Sequence, residues 1–590
     1  MISMLPAALP STSTEAVAEP SAAAESNFDD SGSDSDDVVS VTRLLRLLGG
    51  ATLAVAAASA LTGGIIFAAA RYHGLGMLSP RKRSDSMYAD ENATTLIVPA
   101  PARSPTVAAI VDKCPSLREG YLGGPYLWGW NGLAQTLYYA AFGRTERDRS
   151  DRAATKDAAL APLEWVSLAP QLDAIDANVI PAWELLRGGS SGSHDDCSPP
   201  PPVAIIVTGF ISTRTSSYVR FCAESLLELG YRAIVLQHSG VDKEIELHAP
   251  RIIVGSGTDT RDLHAVVSWL VGKGGAARGA PLAIIGWSMG GNVALKYLIR
   301  DHPEMQPHFG AMCVISTFFH PLLMHRLGTE TDPSGASGRG RDARLRSGHF
   351  TRKMQRMVRR HLASVERTST LAAELDLDAV FSARTMGAFD TAWTRPMLIE
   401  SVLHGTRGRA AQLRALRSLG FAVPAEEEEG KDEGKEEAVS FAEASSYWHL
   451  RAFYLRASFS PAELAKGLDV PALVVGARDD PFFSGLDALV TAESVELGPE
   501  KESAADDDFR LKIPRVWAQL ASQKFGTTDV AASRARGVVV CAETDCGGHC
   551  SFYESPSNGG SWLTPSAGSW ADRAALDFLQ SFLSIDREKI

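Results

Sequence analysis

Leu282-Ala283-Ile284-Ile285-Gly286-Trp287-Ser288-Met289-Gly290-Gly291-Asn292-Val293-Ala294-Leu295-Lys296-Tyr297-Leu298 joins an apolar run to a helix-like run through Gly-x-Ser-x-Gly. A serine between a strand and a helix in this pattern is a nucleophile elbow. The chain must reverse sharply there, so Ser288 takes a strained backbone and its hydroxyl projects above the sheet edge. The flanking glycines remove Cβ atoms that would collide where strand and helix approach. The helix N-terminus beneath Ser288 presents unpaired N–H groups and the positive end of the helix dipole, which suit a developing oxyanion. Taken alone, the same residues also fit a glycine-rich turn in a non-catalytic doubly wound sheet.

A serine hydroxyl near neutral pH needs a base to take its proton and an acid to orient that base. In an α/β-hydrolase sheet the chain order is Ser, then Asp or Glu, then His. Downstream of Ser288, the apolar run Ala472-Leu473-Val474-Val475 leads into Gly476-Ala477-Arg478-Asp479-Asp480-Pro481-Phe482. The run Val538-Val539-Val540 leads into Cys541-Ala542-Glu543-Thr544-Asp545-Cys546-Gly547-Gly548-His549. These features predict a triad of Ser288, Asp480 and His549. Asp479 is the alternative acid, since neighbouring carboxylates are not separable by sequence. Two backbone donors are expected for the oxyanion: Met289 N–H, directly after the nucleophile, and Phe210 N–H in the loop Val207-Thr208-Gly209-Phe210-Ile211.

Around these motifs the chain alternates strand and helix. Val203-Ala204-Ile205-Ile206-Val207 reads as a strand buried on both faces. Tyr218 to Leu229 reads as a helix closed by Gly230, Tyr231 to Leu236 as a strand, and Asp262 to Leu270 as a helix. Such alternation implies a parallel sheet with helices on both faces. The hydrolase core is expected at 201–318 and 466–584, with a helical cap at 319–465. In that cap Thr351-Arg352-Lys353-Met354-Gln355-Arg356-Met357-Val358-Arg359-Arg360 reads as a surface-exposed basic helix, either simply solvated or facing anionic headgroups. Glu426 to Glu437 is an acidic, solvated insertion. Residues 85–200 form a poorly periodic prelude.

The N-terminal part has a different character. Residues 1–40, rich in Ser, Ala and acidic groups, read as a disordered tail. From Leu47 to Ala70 no charge occurs, a run long enough as a helix to cross the roughly 30 Å hydrocarbon core of a bilayer. A buried Ala-rich helix is the competing reading. Arg43 and Arg46 precede this run and Arg71, Arg81, Lys82 and Arg83 follow it, so the expected form is a single-pass anchor with a cytosolic catalytic domain. The Asn92-Ala93-Thr94 sequon matters only if that side is lumenal. Across 590 residues the formal net charge is -12, which gives no electrostatic reason to expect nucleic-acid binding. Seven scattered cysteines argue against a disulfide framework and for a reducing compartment.

Several stretches together resemble the AB hydrolase 4 family, which includes bacterial YheT and the α/β-hydrolase domain-containing proteins 1, 2 and 3. They are Gly209-Phe210 with Ser217-Tyr218-Val219-Arg220, Ala249-Pro250-Arg251, Gly286-Trp287-Ser288-Met289-Gly290-Gly291-Asn292 and Asp479-Asp480-Pro481-Phe482. Thr385-Met386-Gly387-Ala388-Phe389-Asp390, Gly547-Gly548-His549 and Ser569-Trp570 fit as well. Upstream, Trp128 to Gln135-Thr136 is similar to the family's Trp-x-x-x-Gly-x-x-Gln-Thr segment. The resemblance, over roughly residues 120–580, implies an α/β-hydrolase fold with an inserted helical cap and Ser288–Asp480–His549 catalysis. It also implies acyl ester substrates: phospholipids, acylglycerols or fatty acyl esters. No cofactor is implied. Where the family carries Asn-x-Arg-Gly, this chain has Gln237-His238-Ser239-Gly240.

Zinc held by Cys541, Cys546 and Cys550 beside His549 would disable the proposed base, and C-x4-C-x3-C is not a familiar ligand spacing; no metal is expected. A His-x-x-x-x-Asp acyltransferase signature is absent, because Glu554 stands at that spacing from His549. The expected function is a membrane-anchored serine hydrolase of lipid-like carboxylic esters. Two other readings stand beside it: transfer of the acyl group to an alcohol, and a non-catalytic membrane receptor or scaffold on a hydrolase fold.

Overall fold

Val203-Ala204-Ile205-Ile206-Val207 divides its side chains between two cores: Ala204 and Ile206 on one face of a sheet, Val203, Ile205 and Val207 on the other. All five residues are buried. Alternation with both faces apolar is what a strand covered by helices on each side requires. In the computed structural model, the described residues are 110, 112–121, 135–136, 163–187, 200–251, 257, 259–272, 279–317, 319, 338–424, 438–459, 467–477, 480, 539–544, 546–554 and 569–587. The run Leu47 to Ala70, the tail 1–40, the sequon and the acidic insertion lie outside them. Among the described residues no helix is long and apolar enough to cross a membrane.

The sheet has eight strands: β1 (Leu163–Ser167), β2 (Ala182–Arg187), β3 (Val203–Val207), β4 (Arg232–Leu236), β5 (Leu282–Trp287), β6 (Phe309–Ile315), β7 (Ala472–Ala477) and β8 (Val539–Thr544). Their spatial order is β1-β2-β4-β3-β5-β6-β7-β8. β1 and β2 pair antiparallel, as do β2 and β4, and every other neighbour is parallel. The mostly parallel sheet expected from the βα alternation is therefore present, extended by two antiparallel strands. Those two fall inside the stretch read as a poorly periodic prelude. The signal of β1 is weak because it is an edge strand with no buried residue, so nothing forces an apolar run. β2 is interior, and its buried residues include the charged Glu184, which breaks the apolar run.

Helices α1 (Ser217–Glu228), α2 (Arg261–Val271) and α3 (Met289–Lys296) follow β3, β4 and β5, within a residue or two of the sequence reading. Val219, Cys222 and Ala223 of α1 pack on one face of the sheet, and Leu263, Val266 and Val267 of α2 on the other.

Between β6 and β7 lies a helical region with cores of its own. Among the described residues it includes α4 (Gly338–Thr368), α5 (Arg395–Gly405), α6 (Arg409–Ser418), α7 (Phe441–Ser446) and α8 (Leu450–Arg456). α4 contains the basic stretch expected to be a surface helix. Its arginines at 352, 356, 359 and 360 do face outward, but Thr351, Met354, Met357 and Val358 are buried. Met354, Met357 and Val358 pack with Val241, Leu247 and Phe389 and against Phe210 and Ile211. The helix is thus amphipathic, and its apolar side covers the loop after β3. The final helix α9 (Trp570–Arg587) returns to the sheet, with Trp570, Ala571 and Ala574 in the same core as α1.

Candidate active site

Ser288 stands between β5 and α3 with φ 51° and ψ −120°. A non-glycine residue in that region is held there by its surroundings at a cost of roughly 1–3 kcal/mol. The surroundings are backbone. A Cβ on Gly290 would lie 2.2 Å from Val207 O, and one on Gly286 would lie 2.4 Å from Gly291 Cα. The reversal after Trp287 therefore closes only with glycine on both sides. Ser288 N–H donates to Ile315 O at 2.8 Å, which ties the elbow to the end of β6.

Asp480 follows β7 and His549 follows β8, on adjacent strands of the sheet. His549 Nδ1 lies 2.8 Å from Asp480 Oδ2, and Nε2 lies 3.0 Å from Ser288 Oγ. The carboxylate fixes the neutral tautomer: Nδ1–H donates to Asp480, and the lone pair on Nε2 is left to accept the Ser288 hydroxyl proton. The carboxylate that meets His549 is Asp480; Asp479 lies outside the described residues. The Asp480 side chain is 2% exposed and that of His549 13%. Burial is the largest single effect and would lower the His549 pKa, but the Asp480 charge and hydrogen bond, joined by Cys550, together outweigh it and hold the imidazole above its ordinary value.

The loop after β3 lies against the nucleophile, since a Cβ on Gly209 would come 3.5 Å from Ser288 Cβ. Gly209 N–H donates to Tyr218 Oη at 2.8 Å, and the Tyr218 ring packs on Trp287 at 4.6 Å between centroids. Met289 opens α3, in the first helical turn, whose N–H groups have no acceptor within the helix. Phe210 stacks edge-on against Phe350 of α4 at 5.7 Å, so the same loop touches the helical region above it.

The departure at Gln237-His238-Ser239-Gly240 also serves this loop. His238 Nε2 lies 2.8 Å from Thr208 O. Burial pushes the His238 pKa down to about 4 against the raising effects of Thr208 and Asp259. The ring is therefore neutral and donates that bond. Nearby, Arg251 holds Asp259 at 3.1 Å and also pairs with Asp262, a buried ionic cluster under the same strand ends.

Sequence reading assigned no role to two contributors, although Thr136 lies in the Gln135-Thr136 segment that carries part of the family resemblance. Ser316, with φ 48°, accepts Cys550 N–H at 3.0 Å, and Thr136 accepts His549 N–H at 2.8 Å. Nothing in a sequence marks a hydroxyl for an acceptor role hundreds of residues away. Among the described residues no group of three or more His, Cys, Asp and Glu is placed to hold a metal ion.

A mostly parallel sheet with a serine elbow after its fifth strand, and a carboxylate and histidine at neighbouring strand ends, defines an α/β-hydrolase fold. The curated relatives agree with the resemblance to the AB hydrolase 4 family. Monoacylglycerol lipase ABHD2 of Danio rerio is 27% identical over 211 residues, 35% of this chain and 42% of its own length. Phospholipase ABHD3 of Mus musculus is 26% identical over 315 residues, 53% of this chain and 65% of its own. The chain thus spans about two fifths to two thirds of the length of these relatives. No family model matches the chain. Among solved structures, the esterase domain of a Rhodothermus marinus protein aligns with 29% of this chain and 59% of its own at 16% identity and TM-score 0.19. A Pyrococcus furiosus esterase aligns with 67% and 84% at 12% identity and TM-score 0.28.

Proposed function

We propose that this chain is a serine hydrolase of carboxylic esters. The observation that carries the proposal is the unbroken contact from Asp480 Oδ2 through the His549 ring to Ser288 Oγ, at 2.8 and 3.0 Å. In the reaction, Ser288 Oγ attacks the ester carbonyl while its proton passes to His549 Nε2. The negative charge moves to the carbonyl oxygen, which accepts hydrogen bonds from Met289 N–H and Phe210 N–H. Phe210 is the donor of its loop because Gly209 N–H is already engaged by Tyr218. Collapse of the tetrahedral intermediate expels the alcohol, which takes the proton from His549, and leaves an acyl-serine. Water then attacks that ester, His549 takes its proton, and the carboxylic acid and free Ser288 are restored. Asp480 stabilises the imidazolium that exists between these transfers.

The substrates proposed are lipid-like esters: phospholipid, acylglycerol or fatty acyl ester. Relatives named as a monoacylglycerol lipase and a phospholipase support this class. The apolar run Leu47 to Ala70 supports a single-pass membrane anchor, and the surrounding basic residues a cytosolic catalytic domain. A fluorophosphonate probe tests the chemistry. Wild type labels and Ser288→Ala does not; equal labelling of both removes the proposed nucleophile. Lipid extracts of membranes carrying wild type or Ser288→Ala test the substrate class, and identical ester lipids in the two would exclude it.

A further inference from the structure

His549 stands on a loop beyond the end of β8, so neither a strand ladder nor a helix holds its backbone. Its N–H and that of Cys550 would be costly to leave unpaired in this buried setting. Each is taken by a hydroxyl from elsewhere: His549 N–H by Thr136 Oγ1 at 2.8 Å, Cys550 N–H by Ser316 Oγ at 3.0 Å. Ser316 belongs to the sheet, one residue beyond β6. Thr136 comes from the first part of the chain, and its neighbour Gln135, fully buried, grips the same loop. Gln135 Oε1 accepts Tyr553 N–H at 3.0 Å. Its Nε2 donates to Tyr121 Oη at 3.0 Å, and Tyr121 in turn donates to Tyr553 O at 2.6 Å. The loop 549–553 is thus fastened at both ends by Gln135 and Thr136.

On the reading of this chain as a serine hydrolase, we propose that Thr136 is a positioning residue for the base, setting the distance from His549 Nε2 to Ser288 Oγ, with Gln135 holding the far end of the loop. The ring reaches Ser288 at 3.0 Å and Asp480 at 2.8 Å from opposite nitrogens, so a small shift of its backbone loosens both bonds together. A misplacement of about 1 Å costs a catalytic centre on the order of a hundredfold. Thr136 acts before substrate is present, so its effect falls on the chemical step and leaves substrate binding alone.

The experiment compares Thr136→Val, which keeps the shape and removes the acceptor, with Thr136→Ser, which keeps the acceptor. On the full chain, turnover of a p-nitrophenyl fatty acyl ester and the rate of fluorophosphonate labelling are measured. Thr136→Val should lower kcat and labelling rate by about tenfold to a hundredfold at unchanged KM. Thr136→Ser should stay close to wild type. Wild-type kcat in Thr136→Val, or equal loss in both variants, overturns the proposal; if Thr136→Val does not fold, Thr136→Ala takes its place. The downfield Nδ1–H proton resonance of His549 gives a readout independent of turnover: it should move in Thr136→Val and hold in Thr136→Ser. An unmoved resonance in Thr136→Val also overturns the proposal. If wild type shows no Ser288-dependent labelling, the hydrolase reading fails, while the resonance still reports whether Thr136 places the ring.

Discussion

His549 Nδ1 and Asp480 Oδ2 meet at 2.8 Å across the ends of two neighbouring strands, β8 and β7. Replacing Asp480 by Asn keeps the shape and turns the acceptor into a group that no longer selects the Nδ1–H tautomer. The expected loss in kcat for Asp480→Asn is on the order of ten-thousandfold with KM little changed. Steady-state kinetics on a short-chain ester measures it.

The same pair governs the pH profile. Protonated His549 has no lone pair to accept the Ser288 proton, so activity rises with pH as the imidazolium deprotonates. The Asp480 charge holds that pKa above the ordinary histidine value, against a burial effect that works the other way. The rising limb of kcat/KM should therefore centre above about pH 6.5. In Asp480→Asn the largest raising effect is gone and burial is opposed mainly by Cys550, so the limb of the residual activity should move to lower pH. A limb that stays in place would show that another group sets it.

Asp390, in the helical region, is fully buried and accepts from Tyr454 Oη at 2.5 Å and Thr394 Oγ1 at 2.7 Å. Burial raises its pKa to about 6, against the lowering effect of those two bonds. The folded state therefore holds a proton that the unfolded state, titrating near about pH 4, has already lost. Stability contributed by this group is full below about pH 4, falls as pH rises to about 6, and is level above. Thermal melts of wild type should show this decline between about pH 4 and 6, and Asp390→Asn should flatten it.

A methyl group at Gly290 meets Val207 O at 2.2 Å and Thr208 O at 2.5 Å, both backbone atoms that no rotamer change can move. Gly290→Ala should lower the melting temperature by an amount corresponding to at least about 2 kcal/mol and abolish probe labelling at Ser288. A folded, fully labelling variant would mean that the elbow is not held as tightly as the geometry implies.

Tyr218→Phe removes the acceptor of Gly209 N–H next to the nucleophile. An unpaired buried N–H costs about 1–3 kcal/mol, and the loop that carries Phe210 N–H loses its brace. We expect kcat to fall by about tenfold, less than the hundredfold or more that follows loss of an oxyanion donor itself. Single-turnover acylation rates separate this from slower product release.

Much of the arrangement was legible in local sequence. A strand buried on both faces must be a continuous apolar run, so β3, β5 and β7 were readable, β8 was readable from its valines, and the tight reversal at Ser288 leaves its mark in Gly286 and Gly290. The antiparallel strands β1 and β2 were not readable: β1 has only intermediate or exposed residues, and such a strand needs no distinctive pattern. The basic stretch 351–360 was readable as a helix, but its buried side was not. Its Met and Val face is covered by the loop after β3, and arginine density alone says nothing of that contact.

By itself the sequence determined the elbow, the order of serine, carboxylate and histidine, and the βα alternation that brings them to one sheet edge. These are encoded in residues a few positions apart, through backbone sterics and apolar periodicity. Only the tertiary structure decided that Asp480 meets the imidazole, that Tyr218 and His238 brace the loop after β3, and that Thr136 and Ser316 hold the backbone beside His549. Those choices depend on hydrogen bonds between groups as far as 413 residues apart, whose partners are selected by packing and leave no local pattern to read.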